Sequence, residues 1–227
     1  MFDRIAACVF DAYGTLFDVH SAAERHAGRL GPQAQAVSEL WRAKQLQYAW
    51  LRSLMGRHGD FAQVTADSLD YALEAHGIED RALRDDLLGA YLALDCHPEA
   101  PAVLRALRDA GMTTAILSNG TPAMLDAAVR HSGIAGLLDA VWSAEEVGIY
   151  KPEPRVYRLA TERLGVEAGR IAFQSANAWD AAGAAACGMR AVWINRLGQG
   201  RERLPATPSA ELPSLEGLPQ LLGLGGA

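Results

Sequence analysis

The chain has 227 residues, a formal net charge of -6 and a pI near 5.5. A chain of this length forms one domain of ordinary size, or a core with a smaller insertion. Half of its residues are hydrophobic and 21% are charged, which excludes disorder as a description of the whole chain. Because no run of Lys and Arg stands out, we expect no nucleic-acid partner.

The cysteines and the N-terminal residues favour a cytoplasmic protein. Cys8, Cys96 and Cys187 are odd in number and widely separated, so they predict neither a disulfide framework nor a zinc site. Asp3 and Arg4 interrupt the N-terminus too early for a signal peptide. No apolar run approaches the roughly 20 residues that cross a bilayer, so we also expect no membrane partner.

A short apolar strand at residues 5–10 ends at Asp11, and Gly14 follows three residues later. Catalytic groups of open α/β sheets collect at the carboxyl ends of the strands, which makes Asp11 a candidate catalytic residue. Aspartate is also common as the first residue of a turn. This stretch alone leaves the two interpretations equally open.

The chain after this strand is predicted to be helical as far as about residue 95. Ser21 and Glu24 have the spacing of a capping box, which predicts a helix start. Thr65 is the predicted N-cap of a later helix. The three longer predicted helices span residues 33–55, 65–76 and 81–94.

Arg42 lies on an apolar face of the longest predicted helix, because Leu46 and Trp50 follow it four and eight residues later. A guanidinium among apolar neighbours either extends outward to solvent or holds a buried anion. The pattern alone favours the outward position.

The second half of the chain alternates helices with strands, after a linker at residues 96–101 that contains two prolines. This alternation predicts a parallel sheet with helices on both faces. The tail, residues 205–227, has four prolines and four glycines and is predicted to be loosely structured apart from a helical turn at residues 218–222. The predicted strands span residues 113–117, 140–142, 171–174 and 191–194; the helices span 102–110, 122–131 and 154–164, and a last helix opens at 175–180 and ends at 188.

Polar side chains follow each of the first four predicted strands. Each alone has a simpler explanation, as a turn former, a solvated lysine or a first-turn helix acid. Because the carboxyl ends of parallel strands lie along one edge of a sheet, however, we expect these groups to meet in one crevice below the helical part. They are Asp11, Ser118, Asn119, Lys151, Asn177 and Asp180.

Four motifs resemble those of the haloacid dehalogenase superfamily and, within it, the L-2-haloacid dehalogenases. They are D-A-Y-G-T-L-F-D from residue 11, S-N-G from 118, K-P-E-P-R-V-Y from 151 and S-A-N-A-W-D from 175. The segment W-R-A-K-Q-L-Q-Y-A-W-L-R-S-L-M is similar to the helical cap of those enzymes. The resemblance covers residues 5–195. It implies an α/β, Rossmann-like parallel sheet core, residues 1–15 and 97–227, with an inserted helical cap, residues 16–96.

The residue two positions after Asp11 separates the reactions of the superfamily. Its phosphatases have a second aspartate there, which acts as general acid and gives a backbone oxygen to magnesium. Here the residue is Tyr13, whose phenol has an unperturbed pKa near 10. The resemblance therefore implies a metal-independent dehalogenase without a cofactor. A magnesium-dependent phosphatase is the alternative, and a noncatalytic binding protein is a more distant one.

The implied reaction converts L-2-haloacids into D-2-hydroxy acids through an aspartyl ester. Asp11 would be the nucleophile, Lys151 would keep it ionised, and Asp180 would activate the water that hydrolyses the ester. The expected partners are a small 2-haloalkanoic acid, the halide product and a second copy of the chain in a homodimer.

Further roles are implied at weaker positions. Arg42, Asn119 and Trp179 would hold the departing halide, and Ser118 would hold the substrate carboxylate with backbone amides after Asp11. One departure from similar dehalogenases is Ala176, where Ser is frequent. The remaining expected site residues are Thr15 and Tyr157, which would orient the lysine and the substrate carboxylate, Ser175 and Asn177, which would position Lys151 or the water, and Tyr13 on the substrate side.

Overall fold

The computed structural model describes residues 2–224, and its centre is a parallel sheet of six strands. The spatial order is β3-β2-β1-β4-β5-β6, and every neighbouring pair runs parallel. The strands are β1 Ala7–Phe10, β2 Thr113–Ser118, β3 Ala140–Ser143, β4 Ile171–Ser175, β5 Arg190–Ile194 and β6 Ala210–Leu212. The expected α/β fold with a parallel sheet is therefore confirmed.

The position of β1 determines where a site can form. All four residues of β1 are buried, as expected for a strand of a parallel sheet that is covered on both faces. The chain moves outward from β1 through β2 to β3, and then returns to the other side of β1 for β4. Such a reversal of strand order opens a crevice beyond the carboxyl ends of β1 and β4.

Six α-helices lie between β1 and β2 in the chain, and we refer to the first five together as the helical insertion. They are α1 Ser21–Arg25, α2 Ala27–Leu30, α3 Ala34–Leu54, α4 Phe61–Ala75 and α5 Arg81–Tyr91. A short 3-10 helix, Gly31–Gln33, leads into α3. The long helix α3 packs along α4 and buries Val37, Trp41 and Ala49.

The chain enters and leaves the helical insertion through two adjacent segments. The Asp18 amide donates to the Asp95 carbonyl at 2.8 Å, and the His97 amide donates to the Leu16 carbonyl at 2.8 Å. These two backbone hydrogen bonds hold the outgoing and returning segments side by side, directly after the turn that follows β1.

Helices cover the sheet in the rest of the chain. They are α6 Ala100–Asp109, α7 Pro122–His131, α8 Pro154–Leu164, α9 Ala178–Ala186 and α10 Leu218–Leu221, with short 3-10 helices at Ala135–Leu137, Ala144–Val147, Ala168–Arg170 and Leu215–Gly217. The helix α8 ends at Gly165, which has a positive φ of 66° and thus forms a left-handed C-cap that glycine adopts without strain. No helix in the described part of the chain is both long and apolar enough to cross a bilayer.

The prediction for the tail is wrong in part. A sixth strand, β6, pairs with β5 through Leu212 and Ile194, and Leu215 and Leu218 are fully buried. The pattern hid this strand because it has only three residues and Pro213 follows it directly; proline is tolerated at the edge of a sheet. The predicted helical turn is confirmed as α10, and the last residues of the predicted tail, 225–227, lie outside the described residues.

Of the two predicted helix starts in the helical insertion, the one at Ser21 is confirmed and the one at Thr65 is wrong. Asp60 caps α4, since its side chain accepts from the Gln63 amide, while Thr65 lies buried inside the helix. The helix α1 does begin at Ser21, but the Ser21 hydroxyl donates to the Asp18 carbonyl instead of closing a capping box. In addition, α5 ends at Tyr91, three residues before the predicted end.

Candidate active site

Asp11, Lys151 and Asp180 meet in one buried cluster at the carboxyl edge of the sheet. Lys151 Nζ lies 3.1 Å from Asp11 Oδ1 and 2.9 Å from Asp180 Oδ2. The lysine side chain is 1% exposed and that of Asp180 is fully buried. One ammonium therefore stands between two carboxylates that come from the ends of different strands.

Burial determines the charge state of Asp180. Removal of this carboxyl from water raises its pKa from the ordinary 3.8 to about 6; Lys151 opposes the shift and the negative charge of Asp11 adds to it. Asp180 is therefore ionised at neutral pH and becomes protonated in mild acid. A carboxylate with this pKa can serve as a general base near neutral pH.

The second oxygen of Asp11 is held by neutral donors. Its Oδ2 accepts from Thr15 Oγ1 at 3.2 Å and from Asn177 Nδ2 at 2.9 Å. Thr15 Oγ1 in turn accepts from the backbone amide of Ala176 at 2.8 Å. Position 176 thus enters the site through its main chain, which alanine provides as well as serine does.

Lys151 is fixed through its main chain from two sides. Its amide donates to Asn119 Oδ1 at 2.9 Å, which ties it to the turn after β2. The preceding residue, Tyr150, donates its phenol to the Gly59 carbonyl and its amide to Ser53 Oγ, both in the helical insertion. The lysine segment is therefore held by the sheet and by the helical insertion together.

Arg42 reaches from α3 into the crevice, so the outward position favoured by the sequence pattern is wrong. Its Nη2 donates to the Tyr13 carbonyl and to Asn177 Oδ1, each at 3.2 Å, and its Nη1 donates to Gln45 Oε1 at 2.7 Å. All three acceptors are neutral oxygens. The charge of this guanidinium is thus not compensated by these partners.

Tyr13 forms an aromatic wall beside Asp11. Its ring is buried and lies 5.5 Å from the ring of Tyr91 and 5.9 Å from that of Phe61. Burial raises the pKa of the phenol well above its ordinary value, so the group stays neutral. At Gly120 an added Cβ would lie 2.7 Å from Tyr13 Cε2, and only glycine leaves room for this ring.

Tyr157 lies behind Asp180 instead of facing the crevice. Its phenol is fully buried and donates to Asp180 Oδ1 at 2.7 Å. Burial and the Asp180 charge raise the pKa of this phenol, so it remains a donor. This position differs from the expected contact with substrate and makes Tyr157 a partner of Asp180.

The two serines of the motifs are buried and accept backbone hydrogen bonds. Ser118 Oγ accepts from the Gly120 amide at 3.2 Å, and Ser175 Oγ accepts from the Asn177 amide at 3.1 Å. Ser175 therefore orders the turn that carries Asn177. Trp179, on the first turn of α9, packs its ring at 5.2 Å from that of Trp50 on α3.

Three further residues complete the site, and sequence reasoning missed them. Gln45, Thr65 and Tyr91 form a buried polar group behind Arg42. The only signal was the spacing of Gln45, three residues after Arg42, which places both on one side of a helix. Within residues 2–224, no group of three or more His, Cys, Asp and Glu side chains is arranged to hold a metal ion.

Comparison with known proteins agrees with this arrangement. Residues 5–188 match the model of the haloacid dehalogenase-like hydrolases. The chain is 49% identical to (S)-2-haloacid dehalogenase 1 of Pseudomonas sp. (strain CBS-3), with 97% of each chain covered. It is 46% identical to (S)-2-haloacid dehalogenase 4A of Burkholderia cepacia, with 98% of this chain and 96% of the relative covered.

A solved structure extends the comparison to three dimensions. The L-2-haloacid dehalogenase of Xanthobacter autotrophicus, with chloropropionic acid covalently bound, is 36% identical and superposes with a TM-score of 0.90. The match covers 98% of this chain and 100% of that one. From the full-length identity, the family match and the shared fold, the chain belongs to the haloacid dehalogenase-like hydrolases.

Proposed function

We propose that this protein is an (S)-2-haloacid dehalogenase, which hydrolyses L-2-haloacids to D-2-hydroxy acids through an ester of Asp11. The observation that carries the proposal is the different surroundings of two cations, Lys151 and Arg42, in one crevice. The Lys151 ammonium contacts the buried carboxylate of Asp11, and the Arg42 guanidinium, whose hydrogen-bond acceptors are neutral, faces the same crevice. A nucleophilic displacement that releases an anion needs both.

In the first step, Asp11 attacks C2 of the substrate, the carbon–halogen bond breaks, and halide leaves with the bonding electrons. The ammonium of Lys151 contacts one oxygen of Asp11, and Thr15 and Asn177 donate to the other, so the carboxylate has a fixed orientation. A single displacement at C2 inverts that carbon once, which turns an L-haloacid into a D-hydroxy acid.

The departing halide and the substrate carboxylate need donors on the other side of the crevice. We assign the halide to Arg42, Asn119 and Trp179, with Arg42 as the charged member. We assign the substrate carboxylate to Ser118 and to backbone amides that follow Asp11. The aromatic ring of Tyr13 then forms an apolar side of the substrate pocket.

In the second step, Asp180 removes a proton from water, and the resulting hydroxide attacks the carboxyl carbon of Asp11. The bond between that carbon and the ester oxygen breaks, the D-2-hydroxy acid leaves with the proton from Asp180, and Asp11 is a free carboxylate again while C2 keeps its configuration. Tyr157 donates to Asp180 Oδ1 and leaves Oδ2 to Lys151, so the base has a fixed orientation. Asp180 is ionised above about pH 6, in agreement with this role.

The donor set does not fit the magnesium-dependent alternative. In the phosphatases, the residue two after the nucleophile offers its backbone oxygen to the metal. Here the carbonyl oxygen of Tyr13 accepts from the Arg42 guanidinium and from Asn177 Nδ2, and an ammonium stands between the two carboxylates. These positively charged groups favour a reaction without a metal.

A single turnover in heavy-oxygen water tests the proposal. With enzyme in excess over L-2-chloropropionate, the label is expected in Asp11 first, because water attacks the ester at the aspartyl carbon. Mass spectrometry of the peptide that contains Asp11 measures it, and Asp11→Asn is the control without label or chloride release. Label that enters only the product would overturn the ester mechanism.

A second measurement separates the two reactions. Chloride release is expected to continue in the presence of a chelator, while a generic phosphoester with magnesium is expected to yield no phosphate. Loss of chloride release on chelation would favour the metal-dependent alternative.

The helical insertion is proposed to act as the cap of the site, with the core at residues 1–15 and 97–227 and the cap at residues 16–96.

The protein is also proposed to form a homodimer through the end of α3. There Leu54 and Met55 are 84% and 67% exposed, beside Leu51 at 39%. Such an apolar cluster is typical of an interaction surface. Sedimentation of Leu54→Glu is expected to give a monomer where the unmodified chain gives a dimer.

The cytoplasm is the proposed location. Cys8, Cys96 and Cys187 are all unpaired. Burial raises the pKa of the Cys8 thiol to about 12 and that of Cys96 to about 11, so both stay protonated and unreactive. Free thiols of this kind suit a reducing compartment.

A further inference from the structure

Gln45 is a buried amide in direct contact with the guanidinium that faces the crevice. It lies on α3 three residues after Arg42, and its side chain is 1% exposed. Gln45 Oε1 lies 2.7 Å from Arg42 Nη1, and it also accepts from the Tyr91 hydroxyl at 3.1 Å. Gln45 lies in the segment that resembles the helical cap, but none of the four motifs that end the strands includes it.

The surrounding hydrogen bonds determine which way the amide points. The Thr65 hydroxyl has one proton, which it donates to the Phe61 carbonyl at 2.7 Å. Thr65 Oγ1 can therefore only accept from Gln45, and Gln45 Nε2 lies 2.7 Å away. This leaves Oε1 on the side of Arg42. The helix α4 thus orients the amide, and the amide orients the guanidinium.

The chemical type of this anchor has a consequence for the charge of Arg42. An amide oxygen accepts a hydrogen bond from the guanidinium without neutralising it. A carboxylate in the same position would form a bidentate ion pair and would repel any second anion near Arg42. A neutral partner is therefore the type of group that holds a cation in place and leaves its charge available.

We propose that Gln45 is a positioning residue that aims the Arg42 guanidinium into the crevice while leaving its charge free for the departing halide. The inference rests on the assignment of the halide to Arg42 in the proposed function. It adds that the neutrality of residue 45, and not only its size, determines how well halide binds.

The diagnostic variant is Gln45→Glu, which keeps the size and the contact with Arg42 but adds a negative charge. The Thr65 hydroxyl then has to turn its proton from the Phe61 carbonyl to the new carboxylate, which lowers stability, so chloride binding is measured on folded protein and compared apart from that cost. The proposed role predicts chloride binding weaker by at least about tenfold, because a new ion pair of even modest strength exceeds the 1.4 kcal/mol that a factor of ten requires. Quadrupolar broadening of the chloride NMR signal by the protein measures binding without any turnover.

The matched control is Gln47→Glu, which adds the same charge to the exposed outer side of the same helix. It is expected to bind chloride like the unmodified protein, and Arg42→Gln gives the background from other cations. Folded Gln45→Glu protein that binds chloride as well as Gln47→Glu would overturn the proposal.

A second variant covers the case in which Gln45→Glu does not fold. Gln45→Met keeps the length of the side chain without charge or hydrogen bonds, so Arg42 keeps its charge and loses its anchor. We expect chloride binding weaker than in the unmodified protein, with a larger loss in kcat than in KM. Normal binding and normal kcat in Gln45→Met would also overturn the proposal.

The outcomes for the two proposals are distinguishable. Absence of label in Asp11 would overturn the proposed ester mechanism and leave the chloride measurements valid. Absence of Arg42-dependent chloride binding in the unmodified protein would overturn the role of Gln45 directly.

Discussion

The two sides of the crevice each hold a buried or half-buried cation, and the two cations differ in the charge of their hydrogen-bond partners. On the side of the sheet, Lys151 contacts two carboxylates, Asp11 and Asp180. On the side of the helical insertion, Arg42 contacts only neutral oxygens, among them that of Gln45. The charge of Lys151 stabilises two anions of the protein, whereas the charge of Arg42 remains available for an anion that arrives or leaves.

Depth of burial accounts for the difference. Lys151 is almost completely removed from water, where an unpaired ammonium would cost several kcal/mol. Arg42 is only half-buried, and its guanidinium is a more weakly hydrated group that neutral acceptors can satisfy. A sheet edge therefore suits the charged nucleophile, and the more open helix face suits the anion site.

The largest expected effect comes from Lys151→Met. It leaves two buried carboxylates without their cation, which should abolish chloride release and lower the free energy of unfolding by about 3–5 kcal/mol. The loss should be largest at high pH and shrink in acid, since Asp180 then binds a proton. Urea unfolding at several pH values measures it. The control is Lys44→Met, on the outer side of α3; an equal loss there would refute the special role of the pair.

The next effect concerns Asp180 and pH. With a pKa of about 6, Asp180 should give kcat an acid limb that falls tenfold per pH unit below about 6. Asp180→Asn should remove this limb, reduce turnover by about 10³-fold and accumulate the ester after one burst of halide.

Asp180 should also make stability depend on pH, in the direction opposite to its effect on kcat. Its pKa is higher in the folded chain than in the unfolded chain, so the folded state binds more protons between about pH 4 and pH 6. Its contribution to stability is therefore lost as pH rises through that window. Asp180→Asn should flatten the pH dependence of the free energy of unfolding there, and an unchanged profile would contradict the assignment.

A smaller effect is expected from Tyr150→Phe, which removes the hydroxyl that links the lysine segment to the Gly59 carbonyl. Loss of this hydrogen bond to a half-buried residue should cost about 0.5–1.5 kcal/mol of unfolding free energy. Looser contact between the two sides should also lower kcat more than it raises KM. Tyr71→Phe, on an exposed part of α4, is the control. Equal kcat in both variants would show that this link does not affect the reaction.

The smallest effect is expected from Ala176→Ser. The main chain of residue 176 already donates to Thr15 Oγ1 and accepts from Trp193 Nε1. Because the added hydroxyl alters neither contact, the substitution should shift the free energy of unfolding by less than about 0.5 kcal/mol and turnover by less than twofold. A larger gain in kcat would mean that the serine hydroxyl has a role that the alanine chain lacks.

The sheet side of the site was predictable because its signals are local. Each strand is a short apolar run, and Asp11, Asn119 and Asn177 follow at its end, so the rule for parallel strands brings them together. The motifs that carry the family resemblance come from the same positions. Expected and observed helices also agree closely where prolines and glycines bound them, as in α7 and α8.

The insertion side was not predictable in the same way. Arg42 has apolar neighbours on its own helix face in either orientation, and only the placement of α3 near the turns that carry Tyr13 and Asn177 decides between them. Gln45 has the pattern of an ordinary helix residue and Thr65 that of an N-cap, because the hydrogen bonds of Gln45 with Thr65 and Tyr91 join residues 20 and 46 positions apart. The strand β6 was not predicted for a related reason, since three residues beside a proline show no periodic pattern of apolar residues.

The paired backbone hydrogen bonds at Asp18–Asp95 and Leu16–His97 make the sheet insensitive to the size of what lies between them. For the stability of the core, the chain between these hydrogen bonds is equivalent to one long surface loop whose ends are already joined. Doubling the length of such a loop raises the entropic cost of closing it by only about 0.6 kcal/mol. Another helical module could therefore be exchanged at this junction by recombination or by engineering. The nucleophile would stay in place while the wall that selects the substrate changes, and the new module would have to replace the Ser53 and Gly59 contacts that help to hold the lysine segment.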